Sequence, residues 1–152
     1  MTERMTTVSR SIGAAPEDVF AQLADGWIYG AWVVGASHIR DVDAEWPAVG
    51  ALLHHRVGPW PVSVDDSTEV VAMVPDERLV LRAKAFPFGV ARVELTIAAA
   101  EGGCVVEMAE APTGGIAKWL DNPLMRVVLR RRNAESLARL DDLATKRPVP
   151  DA

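Results

Sequence analysis

The stretch that most constrains the fold of this chain runs from Arg78 to Ala111. "RLVLRAKAF", "VARVELTIA" and "CVVEMAEA" each alternate apolar and polar residues with a period of two, separated by "PFG" and "AEGG". Leu79, Leu81, Ala83 and Ala85 fall on one face of the first segment, with Arg82 and Lys84 on the other. In the second, Ala91, Val93, Leu95 and Ile97 oppose Arg92, Glu94 and Thr96; in the third, Cys104, Val106 and Met108 oppose Val105 and Glu107. Such alternation places one face in a core and the other in water. Connections this short permit hairpins and exclude helical crossovers. The chain is therefore committed to an antiparallel sheet with one wet face.

The flanking segments extend that sheet and give it something to wrap. Met5 to Ile12 reads as a first strand. Ala15 before Pro16, followed by Glu17 and Asp18, is a helix start, because proline is tolerated at the first helical position and acidic groups suit the helix N-terminus. Val19, Phe20 and Leu23 supply its buried face, and Gly26 stops it. "WIYGAWVVG" follows as a short second helix or an irregular turn. "ASHIRDVDAEW", "ALLHHRV" and "VSVDDSTEVVAMV" are further strands, joined through Pro47 and Gly50, then "GPWP", and closed by the turn "PDE". Asn122-Pro123 opens a long final helix, on which Arg130, Asn133, Leu137, Leu140 and Ala144 form one stripe, and Pro148 ends it. The expected architecture is α+β: a curved seven-stranded antiparallel sheet wrapped around one long C-terminal helix, with two short helices after the first strand. One helix cannot fill the whole concave surface, so a cavity is expected between them. The expected organisation is a single domain over residues 1–152, with an ordered core from about 5 to 146.

Charge and cysteine content narrow the function classes. The formal net charge is −5, which disfavours a nucleic-acid or anionic-membrane binder. The basic run from Arg126 is balanced by Glu135, Asp141 and Asp142 and reads as a solvated helix face. The one cysteine, Cys104, rules out an internal disulfide and any Cys-rich zinc site. The N-terminus has no apolar signal core and no segment is long enough to span a bilayer, so the reading is cytoplasmic, without stable membrane insertion.

Side chains that could carry chemistry are few. His54 and His55 are adjacent in a strand, so they point to opposite faces and cannot share one metal ion; no metal site is expected. Leu53, His55 and Val57 form the more apolar face, which makes His55 the inward residue and His54 the outward one beside Arg56; His38 reads as a surface residue. An inward imidazole either bonds a neighbouring element or meets a ligand as a polar contact or acid/base. Tyr29 and Trp32 either anchor the short helices or contact a flat ligand, and Trp60, on a hairpin tip, is a gate candidate; Trp27 reads as an anchoring plug. Arg130 and Asn133 share the inward stripe of the last helix, where Arg130 pairs with Glu110 or Glu69, or fixes a ligand's polar group. Glu110 follows the inward face of Cys104, Val106 and Met108, where burial would disturb its titration. Asp65-Asp66 reads as solvated and Gly114-Gly115 as a hinge.

Several segments together resemble a known superfamily: "SRSIGAAPEDVFAQLAD", "WIYGAWVVGASHIRDVD", "WPAVGALLHHRVG", "STEVVAMVPDERLVLRAKAFPFGVARVELTI" and "RRRNAESLARLDDLA". The chain resembles the START-like (SRPBCC, helix-grip) proteins, in the bacterial polyketide cyclase/dehydratase-like branch. The resemblance implies a helix-grip fold holding a small hydrophobic or aromatic, lipid- or polyketide-like molecule in an internal cavity. An alternative it implies is a polyketide cyclase, aromatase or dehydratase that needs no cofactor. Tyr29, Trp32, His55, Trp60, Arg130 and Asn133 are then the expected ligand contacts, and His55, Arg130 and Glu110 the expected catalytic candidates. The expected partner is a small hydrophobic molecule and not nucleic acid, and the expected state is a monomer or homodimer.

Overall fold

The computed structural model describes residues 5–57, 64–85, 89–114 and 122–146. The chain begins with strand β1 (Thr6–Ile12), helix α1 (Pro16–Leu23), a 3-10 turn (Gly26–Ile28) and the one-turn helix α2 (Tyr29–Trp32). Strands β2 (Ala36–Val42), β3 (Leu52–Val57), β4 (Val64–Val74), β5 (Arg78–Ala85), β6 (Gly89–Ala100) and β7 (Gly103–Gly114) follow, and helix α3 (Pro123–Thr145) ends the order. The seven strands pair antiparallel in the order β1-β7-β6-β5-β4-β3-β2. With α3 packed on the sheet and the two short helices after β1, this is the helix-grip α+β arrangement that the alternation and the final stripe lead one to expect.

Local chemistry accounts for the elements that frame the cavity. Pro16 opens α1, with Glu17 and Asp18 in its first turn, and Val19, Phe20 and Leu23 are buried. Gly26 does more than end α1. A Cβ there would stand 2.6 Å from Val42 Cγ1, so the chain needs glycine to pass close to β2. Gly103 likewise lets the β6–β7 turn press on the backbone of Ile12, Gly13 and Ala14. Asn122 caps α3 by accepting from the Met125 amide at 2.9 Å, with Pro123 at the first position.

The core lies between the concave face of the sheet and the C-terminal half of α3. Leu53, Val70, Leu81, Leu95 and Val106 from the sheet meet Leu137 and Leu140 from the helix. Fully burying a leucine contributes about 2 kcal/mol, so this contact carries much of the grip. Trp46 anchors the β2–β3 connection by donating from Nε1 to the Leu23 carbonyl at 3.2 Å. Polar contacts at the C-terminal half of α3 include Arg10 with Asp141 at 2.7 Å on the β1 edge, and the Val34 amide donating to Ser136 Oγ at 3.0 Å.

Two sequence expectations are corrected here. Trp27 is 58% exposed and does not act as a plug; among the described residues Trp32 and Trp46 are the buried indoles. Arg130 is exposed, and the buried stripe of α3 is Asn133, Ser136, Leu137 and Leu140. The physical reason is that α3 carries apolar residues on both sides of its first turns. Leu124, Val127 and Val128 are exposed there, so periodicity alone does not say which side faces the sheet. The inward side continues through Met125, Arg126 and Leu129, and of the three consecutive arginines the one that reaches in, to Glu110, is Arg132.

Candidate functional site

Where α3 leaves the core, a cavity of about 320 Å³ remains between its N-terminal half, α2 and the ends of β3 to β7. Leu81, Val93, Met108 and Leu129 supply apolar wall. Lys84 and Met125 also line it and are exposed, which marks the mouth. Val34, Gly35 and Ala36 close the side toward α2, held by the Val34–Ser136 bond.

The polar groups fall into two clusters. In the first, His55 on β3 lies diagonally across from Thr68 on β4, because His55 pairs with Asp66 in the register and residues two apart share a face. His55 Nε2 is 2.8 Å from Thr68 Oγ1, and Thr68 also bonds the Tyr29 hydroxyl. The Tyr29 ring stacks on the imidazole, with centroids 5.9 Å apart and planes at 26°. Trp32 meets Tyr29 edge-on at 5.5 Å. Burial pushes the His55 pKa below its ordinary value against the pull of the Asp66 carboxylate, so the ring is neutral at pH 7. Burial likewise raises Tyr29 to about 12; the Thr68 hydrogen bond works against this.

In the second cluster, Glu110 on β7 is buried and sits opposite Thr6 on β1. Arg132 Nη2 stands 2.7 and 2.5 Å from its two carboxylate oxygens. Burial raises the Glu110 pKa and outweighs the guanidinium, which lowers it. Asn133, beside Arg132 on α3, is 1% exposed, and its Oδ1 accepts from Arg132 Nε at 3.4 Å. Among the described residues, Trp32 Nε1, His55 Nδ1 and Asn133 Nδ2 form no hydrogen bond of full geometry, although the Arg56 backbone stands close enough to the His55 ring to favour its charged form.

Tyr29, Trp32, His55, Glu110 and Asn133, all singled out in the sequence, thus line one cavity. Arg130 does not line it, and Trp60 lies outside the described residues. His38 is exposed, His54 is half-buried, and Asp65 pairs with Arg56 at 3.1 Å. Among the described residues no three His, Cys, Asp or Glu side chains gather as a metal-binding group. No described helix is long and apolar enough to cross a membrane. Sequence reasoning missed Thr68 and Arg132. Thr68 carries a readable signal, a hydroxyl on the same face of β4 as Val70, whereas nothing separates Arg132 from its neighbours in "LRRRN".

Residues 4–145 match the family model described as "Polyketide cyclase / dehydrase and lipid transport". The chain belongs to this family. No curated protein matches its sequence. Among solved structures, a protein from Nitrosomonas europaea superposes with a TM-score of 0.72 at 14% identity, covering 94% of this chain and 95% of its own. One from Rhodobacter sphaeroides gives 0.70 at 22% identity, with 90% and 89% covered. The di-domain ARO/CYC BexL from the BE-7585A biosynthetic pathway gives 0.67 at 17% identity, with 95% of this chain and 51% of BexL covered, so this family member spans about half of BexL. At such identities the likeness is one of fold.

Proposed function

We propose that the protein binds a small hydrophobic or aromatic molecule, lipid- or polyketide-like, in the cavity between the sheet and α3. The observation that carries this reading is the cavity wall. Close packing leaves few voids larger than a water molecule inside a folded protein. A space of about 320 Å³ with apolar walls and a few converging polar groups has the character of a small-molecule site. Tyr29 and Trp32 offer aromatic surface, and His55 and Asn133 offer polar anchors. The family's description, polyketide cyclase/dehydrase and lipid transport, supports the ligand class. Native mass spectrometry of protein purified from its own host tests this. A small hydrophobic mass released on denaturation is the expected result. Protein that carries none, and that takes up no aromatic probe when offered one, sinks the reading.

A second reading is an enzyme that cyclises or dehydrates a poly-carbonyl chain, as the ARO/CYC designation of BexL suggests for that protein. The observation that favours it is the hydrogen-bonded run from Tyr29 through Thr68 to the neutral imidazole of His55 along the wall. A neutral imidazole can take a proton from the carbon beside a carbonyl, and a hydroxyl-bearing partner can return one to the oxygen that leaves as water. Arg130, on the outer side of α3, has no part in it. Single-turnover assays with a poly-carbonyl substrate decide between the readings. The enzyme reading requires turnover that falls at least ~100-fold in His55→Gln while ligand binding persists.

A further inference from the structure

Among the described residues, two donors in the cavity wall have no partner, and neither can act as an acceptor. Trp32 Nε1 carries a proton in every state and is buried with 1% of the residue exposed. The Asn133 amide is oriented by its neighbour: Arg132 has donors only, so the atom it faces at 3.4 Å is the amide oxygen, which leaves Nδ2 as the unpartnered end. Buried donors are nearly always satisfied, because an unmade bond in a water-poor site keeps the full cost of desolvation. Two acceptor groups of the cavity wall are already engaged. Both Glu110 oxygens face Arg132, and Thr68 Oγ1 serves His55 and Tyr29.

We propose that the cavity selects its ligand by carbonyl content, with Asn133 Nδ2 and Trp32 Nε1 donating to oxygens that carry no proton of their own. This rests on the binding reading above and sharpens it to a ligand class: a largely apolar ring system bearing ketone or quinone-type oxygens. A hydrocarbon of the same shape leaves both donors unmade. An alcohol of the same shape satisfies a donor but brings a proton that must find Thr6 or displace one of the bonds already formed. The order of affinity is therefore carbonyl, then alcohol, then hydrocarbon. Asn133 is the specificity-determining residue, because its amino group offers two protons to Trp32's one.

The rigid tricyclic series fluorenone, fluorenol and fluorene tests this by calorimetric or fluorescence titration of the whole protein. Fluorenone is expected to bind about tenfold tighter than fluorene, with fluorenol between, which is the order of discrimination that the net contribution of one hydrogen bond produces. Asn133→Leu, of similar volume, should erase most of that preference by weakening fluorenone alone. Trp32→Phe keeps the ring contact with Tyr29 and should remove the remainder; with the wild-type series it decides the matter even if Asn133→Leu fails to fold. Fluorene binding within about threefold of fluorenone leaves the cavity a binding site and overturns the donor assignment. A preference that survives both substitutions overturns it as well. If none of the three molecules binds, the binding reading falls and takes this proposal with it.

Discussion

Arg132 Nη2 straddles the carboxylate of Glu110, 2.7 Å from one oxygen and 2.5 Å from the other, and so joins α3 to β7 at the cavity wall. The two ends of this pair live in different environments. Glu110 is buried, whereas 40% of the Arg132 side chain is exposed as its stem runs in from the helix flank.

Cutting that pair from one side should cost more than cutting it from both. Arg132→Met leaves a buried carboxylate without its cation, and the expected loss is about 2 kcal/mol, below the ~3–5 kcal/mol of a wholly buried pair because Arg132 is partly solvated. Glu110→Gln added to Arg132→Met should recover at least half of the loss. Denaturant melts of the wild type, both single variants and the double variant measure it. A double variant as unstable as Arg132→Met alone would contradict the pairing.

The neutral state of His55 makes stability depend on pH in a stated direction. Its folded pKa lies below 6.5, so between the two values the unfolded chain binds the extra proton. The stabilising contribution is present above about pH 6.5 and is lost as pH falls through the folded value. Glu110 has the opposite sign: its pKa is raised above 4.5, so its contribution is present below 4.5 and is lost as pH rises through the folded value. Replacing His55 by Gln should therefore flatten the loss of stability on acidification below about pH 6.5, and Glu110→Gln should leave that limb in place. Tm series across this range separate the two.

The sheet was readable because its information is local. Alternation in Leu79–Ala83 and in Ala91–Ile97, set between short turns, fixes face and pairing together. His55 was assigned inward by the same period-two logic, and the structure buries it. The site was less readable because its geometry depends on which side of α3 meets the sheet. Apolar residues lie on both sides of that helix near its start, and the choice among three consecutive arginines is set by tertiary packing. The Thr68 bridge between Tyr29 and His55 joins three elements, and no spacing within one element encodes it. Trp27 and Trp32 stand five positions apart, with one exposed and one buried, because Trp27 lies in the 3-10 turn and Trp32 in the helix after it, a change of winding that a single periodicity does not capture.

Gly26 provides a packing test independent of the cavity's chemistry. An added Cβ would lie 2.6 Å from Val42 Cγ1 and 3.2 Å from Leu53 Cδ1, below ordinary contact distance. Gly26→Ala should destabilise by about 1–3 kcal/mol through overpacking, although alanine normally favours the folded state by restricting the unfolded chain. A denaturant midpoint that stays put or rises would show that β2 yields at no cost.

Tyr29 is the single tyrosine of the chain, so its ionisation can be followed without assignment. Burial raises its pKa from 10.0 to about 12, the Glu110 carboxylate adds to the rise, and Thr68 and Arg132 oppose it. A raised acid pKa in the folded state means stability present below pH 10 and lost as pH climbs toward 12. Near-ultraviolet phenolate absorbance should therefore stay flat through pH 10 in the native protein and develop close to 12, or together with unfolding if that comes first. In denaturant the same signal should titrate near 10. Thr68→Val removes the hydrogen-bonding partner that stabilises the phenolate, so it should move the native transition further up, and ligand filling the cavity should move it the same way by excluding water. A native transition near 10 would place the phenol in solvent and remove Tyr29 from the wall.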